Sequence, residues 1–148
     1  MSALPRMAQP KRDISRLEDY LEAIYNLNEQ KGYVGVKDIS VKLGVRPGTV
    51  SGMVSNLTKK GYLEHESYQG MRLTPLGDRI AKSVIRRHQV ISELLSMLGV
   101  DSQTAYVDTE GIEHHVHPST LRRFERLADY LRENPQALRA LRAFIEQS

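Results

Sequence analysis

With 148 residues, 40% hydrophobic and 26% charged, the chain is long enough for one compact domain or two small lobes of ordinary globular composition. No apolar run approaches the ~18 residues of a membrane span and no signal-peptide core is present, so the cytoplasm is the expected compartment. The absence of cysteine excludes disulfides, thiolate metal sites and cysteine nucleophiles, and leaves the +3 net charge to be judged by its placement.

In chain order, residues 1–12 combine prolines and basic side chains without apolar periodicity and read as a flexible basic arm. From Ile14 to Gln30, Leu17, Leu21, Ile24 and Leu27 recur at spacings of four, three and three, predicting an amphipathic helix that Lys31-Gly32 ends. In "VKDISVKLGVRPGTVSGMVSNLTKKGY", Val36, Ile39 and Leu43 make one face of a short helix and Gly44-Val45 the turn. Pro47 suits the first turn of the next helix, where its missing N–H costs nothing. Val50, Met53, Val54 and Leu57 form that helix's buried stripe, and Gly61 supplies a left-handed cap. Two short helices joined by a tight glycine turn are a helix-turn-helix.

The stretch "YLEHESYQGMRLT" reads as two short strands with a tip near Gln69-Gly70, which turns the motif into a winged helix. Thr74-Pro75 restarts helix as a cap followed by proline at the first position. A long helix follows to Leu98, closed by Gly99, with a stripe of Leu76, Ile80, Val84, Ile91, Leu95 and Leu98 that His88 interrupts. Asp101 or Ser102 caps a further helix reaching Val116, and Pro118-Ser119 breaks the chain. Leu121, Phe124, Leu127, Ala128 and Leu131 mark another helix, and Leu138, Leu141 and Ile145 a short last one after Asn134-Pro135. The expected fold is mainly α with a small β-wing: an N-terminal winged helix-turn-helix over residues 13–74, then an all-helical domain over residues 75–148.

Two sets of residues point to chemistry. Across residues 36–60 five cations, Lys37, Lys42, Arg46, Lys59 and Lys60, face one anion, Asp38, an excess that suits phosphate and also a solvated helix face. The DNA contacts expected of a winged helix are Arg46, Thr49, Ser51, Ser55, Asn56 and Lys59 around the second helix of the motif, with Gln69 and Arg72 on the wing. With Gly52 among them and few long side chains, DNA shape and phosphate position are expected to carry much of the specificity. The second set lies in "EGIEHHVHPS", where Glu110, Glu113 and His114 stand at i, i+3 and i+4 on one helical face and His115 points elsewhere. Asp19 and Glu22 form another i, i+3 pair on the first helix, and His88 adds an imidazole from the long one. Helical bundles assemble dinuclear carboxylate sites from such residues on separate helices. The same acids also read as solvated helix residues, and His88 as a core histidine bonded to a carbonyl.

The combination "EDYLEAIYNL", "VSGMVSNLTKKGYLEHESYQGMRLTPLG", "RRHQVISELLSMLGV" and "DTEGIEHHV" resembles the diphtheria-toxin-repressor family of metal-dependent regulators, in its manganese transport regulator branch. The resemblance runs from Leu17 to Tyr130 and implies homodimers with an N-terminal winged helix and a helical metal-binding and dimerisation domain. Carried over by position, the branch's ligands fall on Asp19, Glu22, His88, Glu110, Glu113 and His114. Iron-type members commonly have methionine at the position of Asp19 and cysteine at that of Glu110; here both are carboxylates. Four carboxylates and two imidazoles favour a hard ion such as Mn(II), two per subunit, with Fe(II), Zn(II) or Co(II) able to substitute. The resemblance thus implies a manganese-responsive repressor of metal-uptake genes, binding double-stranded, palindromic operator DNA as a homodimer, with no membrane partner and no enzymatic activity. Two rivals are a winged-helix regulator of the MarR type sensing a non-metal ligand, and a dinuclear metal hydrolase. The hydrolase lacks an HExxH helix, a placed nucleophile and a phosphate loop.

Overall fold

The structure, a computed structural model, describes residues 10–66 and 69–147, with side chains from residue 16 onward. The chain divides into two compact units, the first ending at Ser83 and the second beginning at Val84.

In the first unit, α1 (Pro10–Lys31), α2 (Val36–Leu43) and α3 (Pro47–Lys59) are followed by β1 (Leu63–Glu66) and β2 (Gly70–Leu73). The expected stripes become its core: Leu21 and Ile24 of α1, Ile39 of α2, Val50 and Leu57 of α3, and Met71 of β2 are each sealed from solvent to within 1%. The turn between α2 and α3 closes on Gly44 at φ +66°, where the Val45 N–H donates to Ser40 O at 3.2 Å and Ser40 Oγ donates back to Val45 O at 2.5 Å. The wing is an antiparallel hairpin with Leu63 opposite Leu73 and Glu66 opposite Gly70. Residues 1–9 of the expected arm lie outside the described residues, and α1 begins at Pro10, inside the stretch read as arm.

Helix α4 spans Pro75–Met97, and the unit boundary falls within it. Its start is the expected one: Thr74 Oγ1 accepts from the Gly77 N–H at 3.1 Å and donates to Gly61 O at 2.7 Å. Leu76, expected in the apolar stripe, is 41% exposed. Gly77 is the buried residue of this turn, and a Cβ added there would overlap the Tyr62 carbonyl, so the close packing rotates Leu76 outward.

The second unit adds α5 (Ser102–Ile112), α6 (Pro118–Glu133) and α7 (Pro135–Glu146). Val90 and Leu94 of α4 pack against Ala128 with half-buried Leu121 and Phe124 of α6, and Arg86–Glu125 and Arg132–Glu93 ion pairs at 2.5 and 2.6 Å flank that contact. α7 buries no residue. Asp101 caps α5 by accepting from the Thr104 N–H at 2.9 Å, as expected. The expected continuation of α5 to Val116 is corrected: the α-helix stops at Ile112 and Glu113–His115 form a 3-10 turn. Pro118 excludes helical backbone from His117, which sits at ψ 145° after an extended Val116 at ψ 122°, and the last turn tightens ahead of this exit.

Candidate metal centre and DNA-facing helix

In the second unit, His88 projects from α4, Glu110 from the last turn of α5, and Glu113 and His114 from the 3-10 turn. His88, Glu110 and Glu113 each offer a ligand atom within 4.8 Å of the others. His88 Nδ1 lies 2.8 Å from Glu113 Oε2 and 3.5 Å from Glu110 Oε1, and His114 Nε2 lies 3.4 Å from Glu113 Oε1. Four of the six residues singled out in the sequence are therefore neighbours within this unit. The change from α-helix to 3-10 turn leaves Glu110, Glu113 and His114 grouped, while His115 is exposed as expected.

Glu113 decides what the cluster is suited to. Its side chain has no exposed surface. Moving a carboxylate out of water costs several kcal/mol unless opposite charge and hydrogen bonds compensate. The His88 imidazole supplies one hydrogen bond, the His114 ring stands beside the other carboxylate oxygen, and two acids so close present the negative field that a cation neutralises. Nitrogen and oxygen donors without sulfur fit a divalent cation of hard or borderline character. Asp19 and Glu22 stand on α1 in the first unit, half-buried and one turn apart.

The residues expected to meet DNA are all solvent-exposed: Arg46 at the N-cap of α3, then Thr49, Ser51, Ser55, Asn56 and Lys59 along the helix, opposite the buried Val50, Val54 and Leu57. On the wing, Gln69 is exposed and Arg72 lies across the hairpin from Glu64, 3.6 Å from its carboxylate, with its guanidinium 5.9 Å from the Tyr33 ring centre. Sequence reasoning misses His117, which caps α6 by accepting from the Ser119 N–H at 3.2 Å; its place directly before a proline was the available signal. It also passes over Asn28, whose side chain bonds to residues 43 and 45 positions further on, a distance no local pattern reports.

A winged helix with a basic outer face, followed by a helical unit carrying a buried carboxylate–histidine cluster, defines a class: DNA-binding regulators with a metal-binding domain. The chain belongs to the iron dependent repressor family, whose N-terminal DNA binding domain matches residues 14–71 and whose metal binding and dimerisation domain matches residues 74–141. It is 42% identical over 127 residues to the HTH-type transcriptional regulator MntR of Lysinibacillus sphaericus, covering 86% of this chain and 91% of that protein. Among solved structures it is similar to T. acidophilum IdeR, with a TM-score of 0.65 and 31% identity over 82% of this chain, and to the manganese regulator SloR, with a TM-score of 0.69 and 29% identity over 77%. The chain spans 55% and 54% of those two structures. These relationships identify a metal-responsive, DNA-binding transcriptional regulator with a divalent metal cofactor and a dimerisation domain. Among the described residues no helix is long and apolar enough to cross a membrane.

Proposed function

We propose that this regulator responds to manganese and represses metal-uptake genes when its metal sites fill. The observation that carries the reading is the buried Glu113 carboxylate between His88 and His114, with Glu110 beside it. The position of Glu110 separates the manganese-type donor set from the cysteine-containing iron type. With Asp19 and Glu22 added, as the family resemblance implies, six residues hold two Mn(II) ions per subunit; Fe(II), Zn(II) and Co(II) are competing occupants by intrinsic affinity.

In this reading His88 and His114 present neutral imidazole nitrogens, Glu113 provides a carboxylate already desolvated, and Glu110 a second one at a partly exposed rim. Bound metal supplies the positive charge that lets these acids sit together. Arg46, Thr49, Ser51, Ser55, Asn56 and Lys59 of α3 meet the major groove, while Gln69 and Arg72 of the wing meet phosphate or the minor groove. A symmetric dimer requires a palindromic operator with half-sites ~34 Å apart or a multiple of it.

The test is a gel shift on the gene's own promoter, titrating manganese, iron(II) and zinc against a chelator, with the parent chain and Glu110→Ala. Manganese-dependent retention, weakened by the substitution, is the expected result. Binding indifferent to both chelator and manganese would overturn it in favour of a non-metal ligand.

A further inference from the structure

A two-stranded hairpin of four residues per strand is marginal by itself and takes its position from what it packs on. In the first unit β2 is seated on the segment that ends α1. The Val34 N–H donates to Met71 O at 3.1 Å and the Met71 N–H returns a bond to Val34 O at 2.9 Å. The fit is close: at Gly70, where φ is +88°, a Cβ would come within 2.8 Å of Val34 O, so only glycine starts the strand there.

One side chain reinforces this seat. Asn28, in the last turn of α1, donates through Nδ2 to Met71 O at 3.2 Å and to Gly32 O, and its Oδ1 accepts from the Leu73 N–H at 3.3 Å. Met71 and Leu73 flank Arg72, so a single amide grips the backbone on both sides of the wing's arginine. Tyr33, from the same α1–α2 connection, lies beneath its guanidinium. Asn28 stands six residues from Glu22 and nine from Asp19, about 9 and 14 Å along one helix.

From this arrangement we infer that Asn28 is a positioning residue for DNA binding: it fixes Arg72 to the helix that carries Asp19 and Glu22, so that α1 and the wing move as one body. The inference rests on the wing meeting DNA, as proposed above. The amide touches neither metal nor DNA, and its effect passes through the β2 backbone.

The test uses the full chain with Mn(II) at saturation and a duplex from the gene's own promoter, comparing Asn28→Ala, Arg72→Ala and the double substitution by fluorescence anisotropy. Asn28→Ala is expected to weaken duplex binding about three- to thirtyfold, and the double substitution to lose no more than the larger single loss, since both act through one contact. Mn(II) affinity without DNA is expected to be unchanged, and amide exchange to quicken at Leu73 but not in α3. A role confined to general stability would give additive losses and faster exchange throughout, which would overturn the assignment. Should Asn28→Ala not fold, Asn28→Asp keeps the acceptor for Leu73 and sets a carboxylate against two carbonyls; parent-like duplex affinity in that variant would overturn it too. A loss for Arg72→Ala with none for Asn28→Ala removes the Asn28 inference alone. Parent-like binding by Arg72→Ala removes the wing contact itself, and the inference with it.

Discussion

Glu113 lies wholly out of solvent with imidazole nitrogens at 2.8 and 3.4 Å. Replacing it with glutamine keeps the size and leaves an amide able to hydrogen-bond the His88 ring, but removes the charge a metal ion would meet. Loss of an outer-shell partner alone costs roughly 10–100-fold in metal affinity, so if Glu113 ligates the metal as proposed, Glu113→Gln is expected to lose more than that while keeping its helical circular dichroism. Electron paramagnetic resonance of free Mn(II) during titration measures this, and an unaltered affinity would remove Glu113 from the donor set. A different carboxylate sets a pH dependence. The Lys31 ammonium at 2.5 Å, helped by the Gly35 N–H at 2.9 Å, holds the Asp38 carboxyl below its ordinary range. A depressed folded-state value means that the stabilisation is complete above the unfolded value of about 3.9 and is lost as pH falls through the folded one. Urea midpoints of the parent and Asp38→Ala are therefore expected to differ at neutral pH and to converge on acidification; a constant gap would show that charge plays no part in these contacts.

Among the elements, α3 presents its apolar stripe inward and leaves a polar outer face whose long cations are confined to its two ends, Arg46 and Lys59. If Lys59 neutralises a phosphate, Lys59→Ala weakens binding to every duplex alike and shallows the log–log salt slope by about one; an intact slope would exclude the contact. At the start of α4, Gly77→Ala raises intrinsic helix propensity by ~1 kcal/mol but drives a methyl into the backbone of Tyr62. Overpacking costs about 1–3 kcal/mol, and because the obstacle is backbone, net destabilisation is expected in thermal melts; a gain in stability would mean that the turn yields. These elements also mark where sequence reading succeeds and stops. The stripes of α1, α2 and α3, the Gly44 turn, the Thr74 and Asp101 caps and the hairpin are encoded by neighbours within a few residues and lie where periodicity and capping chemistry put them, whereas Leu127 of the α6 stripe and Ile145 of the α7 stripe are exposed. The outward turn of Leu76 depends on Tyr62, fourteen residues earlier, and the Asn28 grip on β2 spans 43 residues, so neither leaves a local trace. The donor cluster was half legible: i, i+3, i+4 spacing grouped Glu110, Glu113 and His114, but bringing His88 beside them required tertiary packing.

For the whole molecule, the second unit exposes large apolar side chains on three helices, including Tyr106 and Val107 of α5, Tyr130 of α6 and Phe144 of α7, and it belongs to a dimerisation domain. A dimer that binds both metal and DNA is subject to linkage: whatever factor metal adds to operator affinity, operator must add in total to metal affinity. The factor is shared among all the ions the dimer binds. If each subunit binds two ions, as proposed, a total gain of roughly 10,000-fold would appear as about tenfold for each of four ions sharing it equally. A modest shift in each manganese isotherm is thus compatible with a large switch in DNA occupancy, and a steep response follows from several small couplings. Both measurements must be made at one salt concentration, because phosphate contacts alone change DNA affinity by orders of magnitude with salt. Manganese isotherms with and without a saturating promoter duplex are expected to separate, the duplex-bound form filling at lower free manganese. Coincident isotherms would mean that metal and DNA do not communicate at equilibrium, and metal-responsive repression would lose its thermodynamic basis.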